Sequence, residues 1–298
     1  MDRRSFLRRG GGAFAVAALA GGGFPSPEAP PRLKLAVKYG MIAEGSTVRD
    51  KFKLLADLGF DGVDLPAPSD LDPREVLEAS RETGVVAHGV VDSVHWKFNL
   101  GHPDPAVRRQ GVEGLKAALR QGHAFHAGTV LLVPGRVTRR ITYQEVHERS
   151  RKEIAAVLPL AEELQVKIAI ENVWNDFLLS PLEARDYVDS FDSAFVGWYF
   201  DVGNIVNYGW PEQWIRILGR RILKVDVKEY SRKKRNDEGL WKGFDVEIGE
   251  GDCGWPEVMR ALKDIGYTGW ATAEVRGGDR RRLAEIKRRM DEVLAFPA

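Results

Sequence analysis

A single cysteine, Cys253, stands in 298 residues. One thiol cannot form an intramolecular disulfide, so burial alone must hold the fold. An excess of charge of one sign is missing too. The 44 Lys and Arg offset 43 Asp and Glu, for a formal net charge of +1. No global basic field therefore draws the chain to nucleic acid. Histidine is scarce, at six residues, which leaves little material for histidine-rich metal clusters. No apolar run approaches the roughly 20 residues that a spanning helix requires, so no stable membrane span is expected. The composition is 44% hydrophobic and 29% charged. That suits one large domain or two small ones with a full core.

The first 32 residues stand apart. RRSFLRR at 3–9 pairs two arginines ahead of Phe6 and Leu7, and GGGAFAVAALAGGG at 10–23 is Gly/Ala-rich and mildly apolar. Ala18-Leu19-Ala20 offers a small-x-small cleavage site. The stretch resembles a bacterial twin-arginine export signal, with a Pro-rich linker at 21–32. Export to the periplasm or another extracytoplasmic space is the expectation, and the remaining domain is expected over 33–298.

From Leu33 onward strand-like and helix-like segments alternate. LKLAVKYG (33–40), GVDLPA (62–67), VVAHGVV (85–91) and TVLLVPG (129–135) read as strands. So do KIAIENVW (167–174), VGWYFDVGN (196–204), ILKVDVKEY (222–230) and GWATAEVRG (269–277). Between them lie helical patterns, opened by Asp72-Pro73, by Asp104-Pro105 and by a Thr-x-x-Glu capping box at Thr142 and Glu145. Strict alternation implies a parallel sheet, and eight units in this length fit a (β/α)8 TIM barrel. A doubly wound open sheet is the alternative, but the first turn, KYGMIAEGS, lacks the Gly-x-Gly-x-x-Gly phosphate loop.

Four successive strands end in acids: Glu171, Asp201, Asp226 and Glu274. In a (β/α)8 barrel the C-terminal strand ends form the cup where chemistry occurs. Four carboxylates in one cup repel one another unless they are protonated or share a cation. Hard oxygen donors suit Mg²⁺ or Mn²⁺. A single acid at a strand end is commonly a helix cap, but four on neighbouring strands point to a metal site.

These residues carry a family resemblance. IEN after strand five, FDVGN after strand six, VKEY on strand seven, GEGDCGWPEVMRAL (249–262) and GYTGWATAE (266–274) resemble the sugar phosphate isomerase/epimerase family. Its members are xylose isomerase-like barrels that include the ketose 3-epimerases, and the likeness covers about residues 33–296. The resemblance implies one divalent metal held by Glu171, Asp201 and Glu274, with Asp226 standing where the family carries a histidine. Manganese is the first expectation, with Mg²⁺, Co²⁺ or Zn²⁺ as the others. It further implies Glu171 and Glu274 as the acid/base pair of a sugar isomerase or epimerase. One takes the proton beside a carbonyl and the other returns it, through a cis-enediolate. Two further departures stand out: Asn204 where ketose epimerases often carry a substrate-contacting histidine, and Phe177 where some carry an acid.

Six residues are expected to meet a carbohydrate substrate. Lys228 shares the phase of Asp226, so it faces the same side; it either holds a substrate oxygen or pairs with an acid. Glu229 has the opposite phase and is expected to brace a helix. His95 and Trp96 follow strand three and resemble a substrate-facing pair. Trp174 follows the strand-five acid, Asn204 follows the strand-six acid, and Arg276 lies two residues past Glu274. His88, inside strand three, is expected in the core. SRKKR (231–235) reads as a solvated charged loop, with phosphate binding as the alternative. Alternative readings are an exported 3-keto-glycoside lyase or hydrolase, which begins with the same proton loss, and a non-catalytic sugar-binding barrel. A DNA-repair barrel of the same superfamily needs a trinuclear zinc site and more histidines than the chain supplies, so nucleic acid is not an expected partner. A homo-oligomer is compatible with the sequence.

Overall fold

A computed structural model describes residues 32–296. Apart from Arg32, the expected signal and linker lie outside the described residues. Eight strands close into one parallel barrel in sequential order. They are β1 (Lys34–Lys38), β2 (Gly62–Ala67), β3 (Val86–Asp92), β4 (Thr129–Leu132), β5 (Lys167–Glu171), β6 (Val196–Asp201), β7 (Ile222–Val227) and β8 (Trp270–Ala273). The helices are α1 (Val48–Asp57), α2 (Pro73–Thr83), α3 (Pro105–Ala124), α4 (Tyr143–Leu164), α5 (Pro181–Asp189), α6 (Val202–Val206), α7 (Pro211–Leu218), α8 (Arg232–Glu238), α9 (Trp255–Asp264) and α10 (Arg280–Val293). None of the described helices is long and apolar enough to cross a membrane.

The expected alternation is borne out, and the starts of the long helices follow from local chemistry. Asp72 and Asp104 cap α2 and α3 with proline next in line, and Thr142 and Glu145 close a reciprocal capping box on α4. Two segments differ from expectation. The β7 loop, read as irregular, holds α8 and a 3₁₀ turn at Leu240–Phe244. RKKRNDE has no apolar period to reveal a helix; the Ser231 side chain caps it by accepting from the Lys234 amide. The short α6 likewise sits between β6 and α7, capped by Asp201 itself.

Period-two geometry sorts each strand. On β6, Trp198 and Phe200 are buried in the main core, while Tyr199 belongs to a small separate cluster with Leu131 and Ala169. Val91 and Leu223 pack against that cluster. A buried polar network crosses the barrel interior. Lys224 Nζ lies 2.6 Å from His88 Nδ1 and donates to the His88 carbonyl at 3.0 Å. His88 Nε2 lies 3.2 Å from Thr272 Oγ1 and 3.4 Å from Asp64 Oδ1. Tyr199 donates its hydroxyl to Asp64. Burial lowers Lys224 to about 7 and depresses His88 well below its ordinary value. His88 thus does lie in the core, stacked on Trp270 with ring centroids 4.2 Å apart.

Strand register then decides which groups meet at the rim. Lys38 sits beside Asp64, Asp201 beside Asp226, and Val227 beside Ala273. The last pairing carries Lys228 and Glu274 out of the sheet as neighbours.

Candidate active site

Glu171, Asp201, Asp226 and Glu274 converge at the C-terminal rim, each offering an oxygen within 4.8 Å of the others. The first three are buried and Glu274 is half-buried. Two lysines enter the cluster. Lys228 Nζ lies 2.8 Å from Asp201 Oδ2 and 3.0 Å from Glu274 Oε2. Lys38 Nζ lies 2.9 Å from Asp226 Oδ2 and 3.2 Å from Asp64 Oδ2. Both reach ion-pair distance of the acids, yet Asp201 Oδ2, both oxygens of Asp226 and Glu274 Oε2 are buried with no aligned hydrogen-bond donor.

Burial and like charge drive the electrostatics. Burial, followed by the charges of Glu274 and Asp226, holds the Glu171 carboxyl well above the ordinary range. Burial also raises Asp226 and Asp201, against the pull of Lys38 and Lys228 respectively. Glu274 moves the other way: burial opposes ionisation, but Lys228 and Lys38 outweigh it and lower the carboxyl. Lys228 stays above its ordinary value because Asp201 and Glu274 overcome its burial. When every group is ionised, four carboxylates face two ammonium groups, leaving two negative charges unmatched. Hard oxygen donors, short mutual distances, unsatisfied buried oxygens and this residual charge all fit a divalent cation.

The motif residues around the acids hold the cup in place. Asn172 donates to the Asp201 carbonyl at 2.7 Å and accepts from the Asp201 amide at 3.0 Å and from Trp198 Nε1 at 2.9 Å. Asn204 donates its amide N–H to Asp201 Oδ1 at 2.8 Å and its side chain to the Asn172 carbonyl at 3.0 Å. Gly203 lets this turn press against β7, since a Cβ there would sit 2.8 Å from the Lys228 carbonyl carbon and oxygen. The residues of IEN and DVGN thus clamp two strand ends together. Glu229 braces the loop after β7 through the Gly249 and Cys253 amides and reaches the expected helix through Trp255 Nε1 at the start of α9. Cys253 is buried and donates to the Lys228 carbonyl at 3.2 Å.

A cavity of about 1170 Å³ opens over the cluster. Trp96, Trp174, Asn204, Lys228 and Arg276 line it together with Glu171 and Glu274. His95 is buried beside Trp96, its Nδ1 accepting the Val133 amide at 3.2 Å. Burial drops its pKa to about 4, so the neutral ring carries its proton on Nε2, as inferred from that hydrogen bond. The charged segment 231–235 is largely committed within the fold. Arg232 donates to the Val206 and Gly209 carbonyls, Arg235 to Asn207, and Lys233 pairs with Asp237. Lys38, Asp64, Tyr199 and Lys224 were invisible to sequence reasoning, because a lone polar residue on a strand has the same pattern facing either way.

Asp92 also escaped notice. It ends β3, is buried, and accepts the Val94 amide at 3.0 Å. Burial pushes its carboxyl up to about 7. The folded state therefore holds a proton that the unfolded chain releases near pH 4, and stability from this group falls as pH rises from about 4 to 7. Asp92→Asn should remove that slope and gain on the order of 2–4 kcal/mol at pH 8 relative to pH 4. Urea unfolding of both proteins at the two pH values checks this; parallel pH profiles would contradict it.

Residues 52–295 match the family model described as a xylose isomerase-like TIM barrel. The chain is 26% identical over 250 residues to L-ribulose-5-phosphate 3-epimerase UlaE of Escherichia coli O1:K1 / APEC, covering 80% of this chain and 85% of that one. The same-named protein of Escherichia fergusonii is 25% identical over the same span. Among solved structures, D-psicose 3-epimerase with D-tagatose from Clostridium cellulolyticum H10 superposes with a TM-score of 0.72 at 19% identity, covering 88% of this chain and 98% of that one. A D-tagatose 3-epimerase-like protein gives 0.74 at 21% identity, covering 88% and 97%. These structural likenesses speak for the fold. The curated relatives carry the names of sugar epimerases, which bears out the expectation of an enzyme of the isomerase/epimerase kind. With four-fifths of its length matched by one family model and its eight strands closed in the corresponding barrel, the chain belongs to the xylose isomerase-like TIM barrel family.

Proposed function

We propose that this protein is a divalent-metal-dependent sugar isomerase or epimerase that removes a proton next to a carbonyl on a ketose or related carbohydrate. The observation that carries the reading is the set of four convergent carboxylates, two of them lining the cavity, whose charge two lysines only partly offset. Glu171, Asp201, Asp226 and Glu274 would hold the cation, with Mn²⁺ or Mg²⁺ favoured by an all-oxygen set. Bound there, a divalent ion supplies positive charge that acidifies a carbon-bound proton beside a carbonyl.

The chain's own residues do the rest. Glu171 and Glu274 both line the cavity and exchange roles, one taking the proton and the other returning it to the opposite face. Lys228, touching Asp201 and Glu274, places an ammonium where negative charge develops on a substrate oxygen. Trp96 and Trp174 present apolar rings to the cavity. The same first step serves elimination from a 3-keto-glycoside, and the cavity is roomy enough for that larger substrate, as argued below.

The test pairs metal with exchange. Elemental analysis of protein purified without chelator should find one divalent ion per chain, and Asp201→Asn should lower that affinity, since it removes a charge at nearly constant volume. Solvent deuterium should wash into a ketose at the acidified carbon. Protein with no bound metal and no exchange across ketose and 3-keto-glycoside panels would end the proposal. Export is inferred from residues 1–32 alone; a folded reporter carrying them and retained in the cytoplasm would count against it.

A further inference from the structure

The outer half of the cavity differs in character from its floor. Trp174, Trp241 and Phe244 form a wall with Trp174–Trp241 and Trp174–Phe244 centroids each 4.9 Å apart. Trp174 is fixed by its Nε1 donating to the Asn204 carbonyl at 2.9 Å and by the edge contact with Tyr230 at 5.5 Å. Trp241 remains 67% exposed, so its ring face is open to a ligand entering the cavity. The wall is continuous with the chemistry, because Lys228 Nζ sits 5.8 Å from the Phe244 ring centroid while touching Asp201 and Glu274.

The wall is also held in place. Tyr230 donates its hydroxyl to the Leu240 carbonyl at 2.9 Å, and the Ser231 amide donates to the Gly243 carbonyl at 2.7 Å. Gly243 lies flat on Tyr230, where any Cβ would sit 2.3 Å from the ring. A platform fixed before binding loses little entropy when a ring stacks on it.

Size and charge narrow the occupant. Sites for drug-sized ligands occupy about 300–1,000 Å³. The cavity of about 1170 Å³ therefore exceeds what one free monosaccharide fills. Its charged lining comprises six acids, Glu171, Glu229, Asp245, Glu247, Glu250 and Glu274, against Lys228, Lys234, Arg276 and Arg282. Three of those bases are committed: Lys228 to the acid cluster, Lys234 to the Asp245 carbonyl and Arg282 to Glu247. Without a bound cation the lining acids outnumber the lining bases six to four, so the lining offers a phosphate no surplus of positive charge.

We propose that Trp241, Trp174 and Phe244 form a subsite for a second, uncharged ring, joined to the sugar that sits over the carboxylates, so that the substrate class is a neutral glycoside rather than a free or phosphorylated monosaccharide. This rests on the sugar-enzyme reading above but is tested separately from it. Calorimetric titration of the full-length protein with phenyl β-D-glucopyranoside, methyl β-D-glucopyranoside and glucose 6-phosphate is the measurement. The phenyl glycoside should bind roughly three- to tenfold more tightly than the methyl glycoside. Trp241→Ala should abolish that margin and Trp241→Phe should keep most of it. Glucose 6-phosphate should bind most weakly.

Equal affinities for the two glycosides, or preference for the phosphate, would overturn the subsite. So would a Trp241→Ala variant that changes oligomeric state in sedimentation while the margin persists, which would make the exposed ring an assembly contact. A Trp241-dependent margin without proton exchange in any sugar keeps the subsite and removes the enzymatic reading. Exchange without a margin does the reverse.

Discussion

Glu171→Gln should lower turnover by about 10²–10⁴-fold, the range removed when a general acid/base group is lost. The substitution keeps volume and one oxygen donor at the rim but cannot take up a proton. Substrate affinity should change far less than turnover, because the cavity walls are untouched. Glu171 is the buried acid of the pair that lines the cavity, and its surroundings oppose ionisation more strongly than those of Glu274. Deuterium wash-in and metal content are measured together. Loss of exchange with metal retained assigns Glu171 to proton transfer, loss of both makes it chiefly a ligand, and full activity removes it from the mechanism.

Lys38→Met should cost about 3–5 kcal/mol of folding stability, the usual penalty for breaking a buried ion pair from one side. Lys38 reaches Asp226 and Asp64, whose side chains are fully buried, from a position only 12% exposed itself. The two acids hold the lysine charged against its burial, and removing it leaves both carboxylates without that neighbour. Urea unfolding reads the loss. The double variant Lys38→Met/Asp226→Asn should lose less than Lys38→Met alone, because the stranded charge is gone. Lys34→Met, at the exposed first residue of the same strand where the ammonium lies over Trp270, should change stability by no more than about 1 kcal/mol. A Lys38→Met loss as small as the Lys34 control would mean that the pair contributes nothing.

This pair also bears on the charge of Asp226. An aspartate at 226 adds a negative charge where the resemblance implies a neutral histidine, and Lys38 brings a positive charge to the same carboxylate. Lys38 thereby offsets one of the rim's negative charges from the far end of the sequence.

Some of this was legible in the residues alone. Strands five to eight each end an apolar run with an acid, and period two already put Lys228 on the side of Asp226. Those are local patterns, set by side-chain alternation along one strand. Helix starts were legible for the same reason, because a cap interacts within its own first turn. The β7 loop was not, since RKKRNDE carries no apolar period and Trp241 and Phe244 show their purpose only beside Trp174.

The sequence by itself therefore determined the alternation of elements, the eight strands and the candidate ligands at their ends, all of which follow from interactions between residues a few positions apart. Closure of the barrel decided the rest. Only when β8 returns to β1 does Lys38 reach Asp226, and only the interior packing sets Asp64, His88, Tyr199, Lys224 and Thr272 into one network. The physical reason is that charge pairing and desolvation depend on distances through space, which strand register and closure fix and local sequence does not.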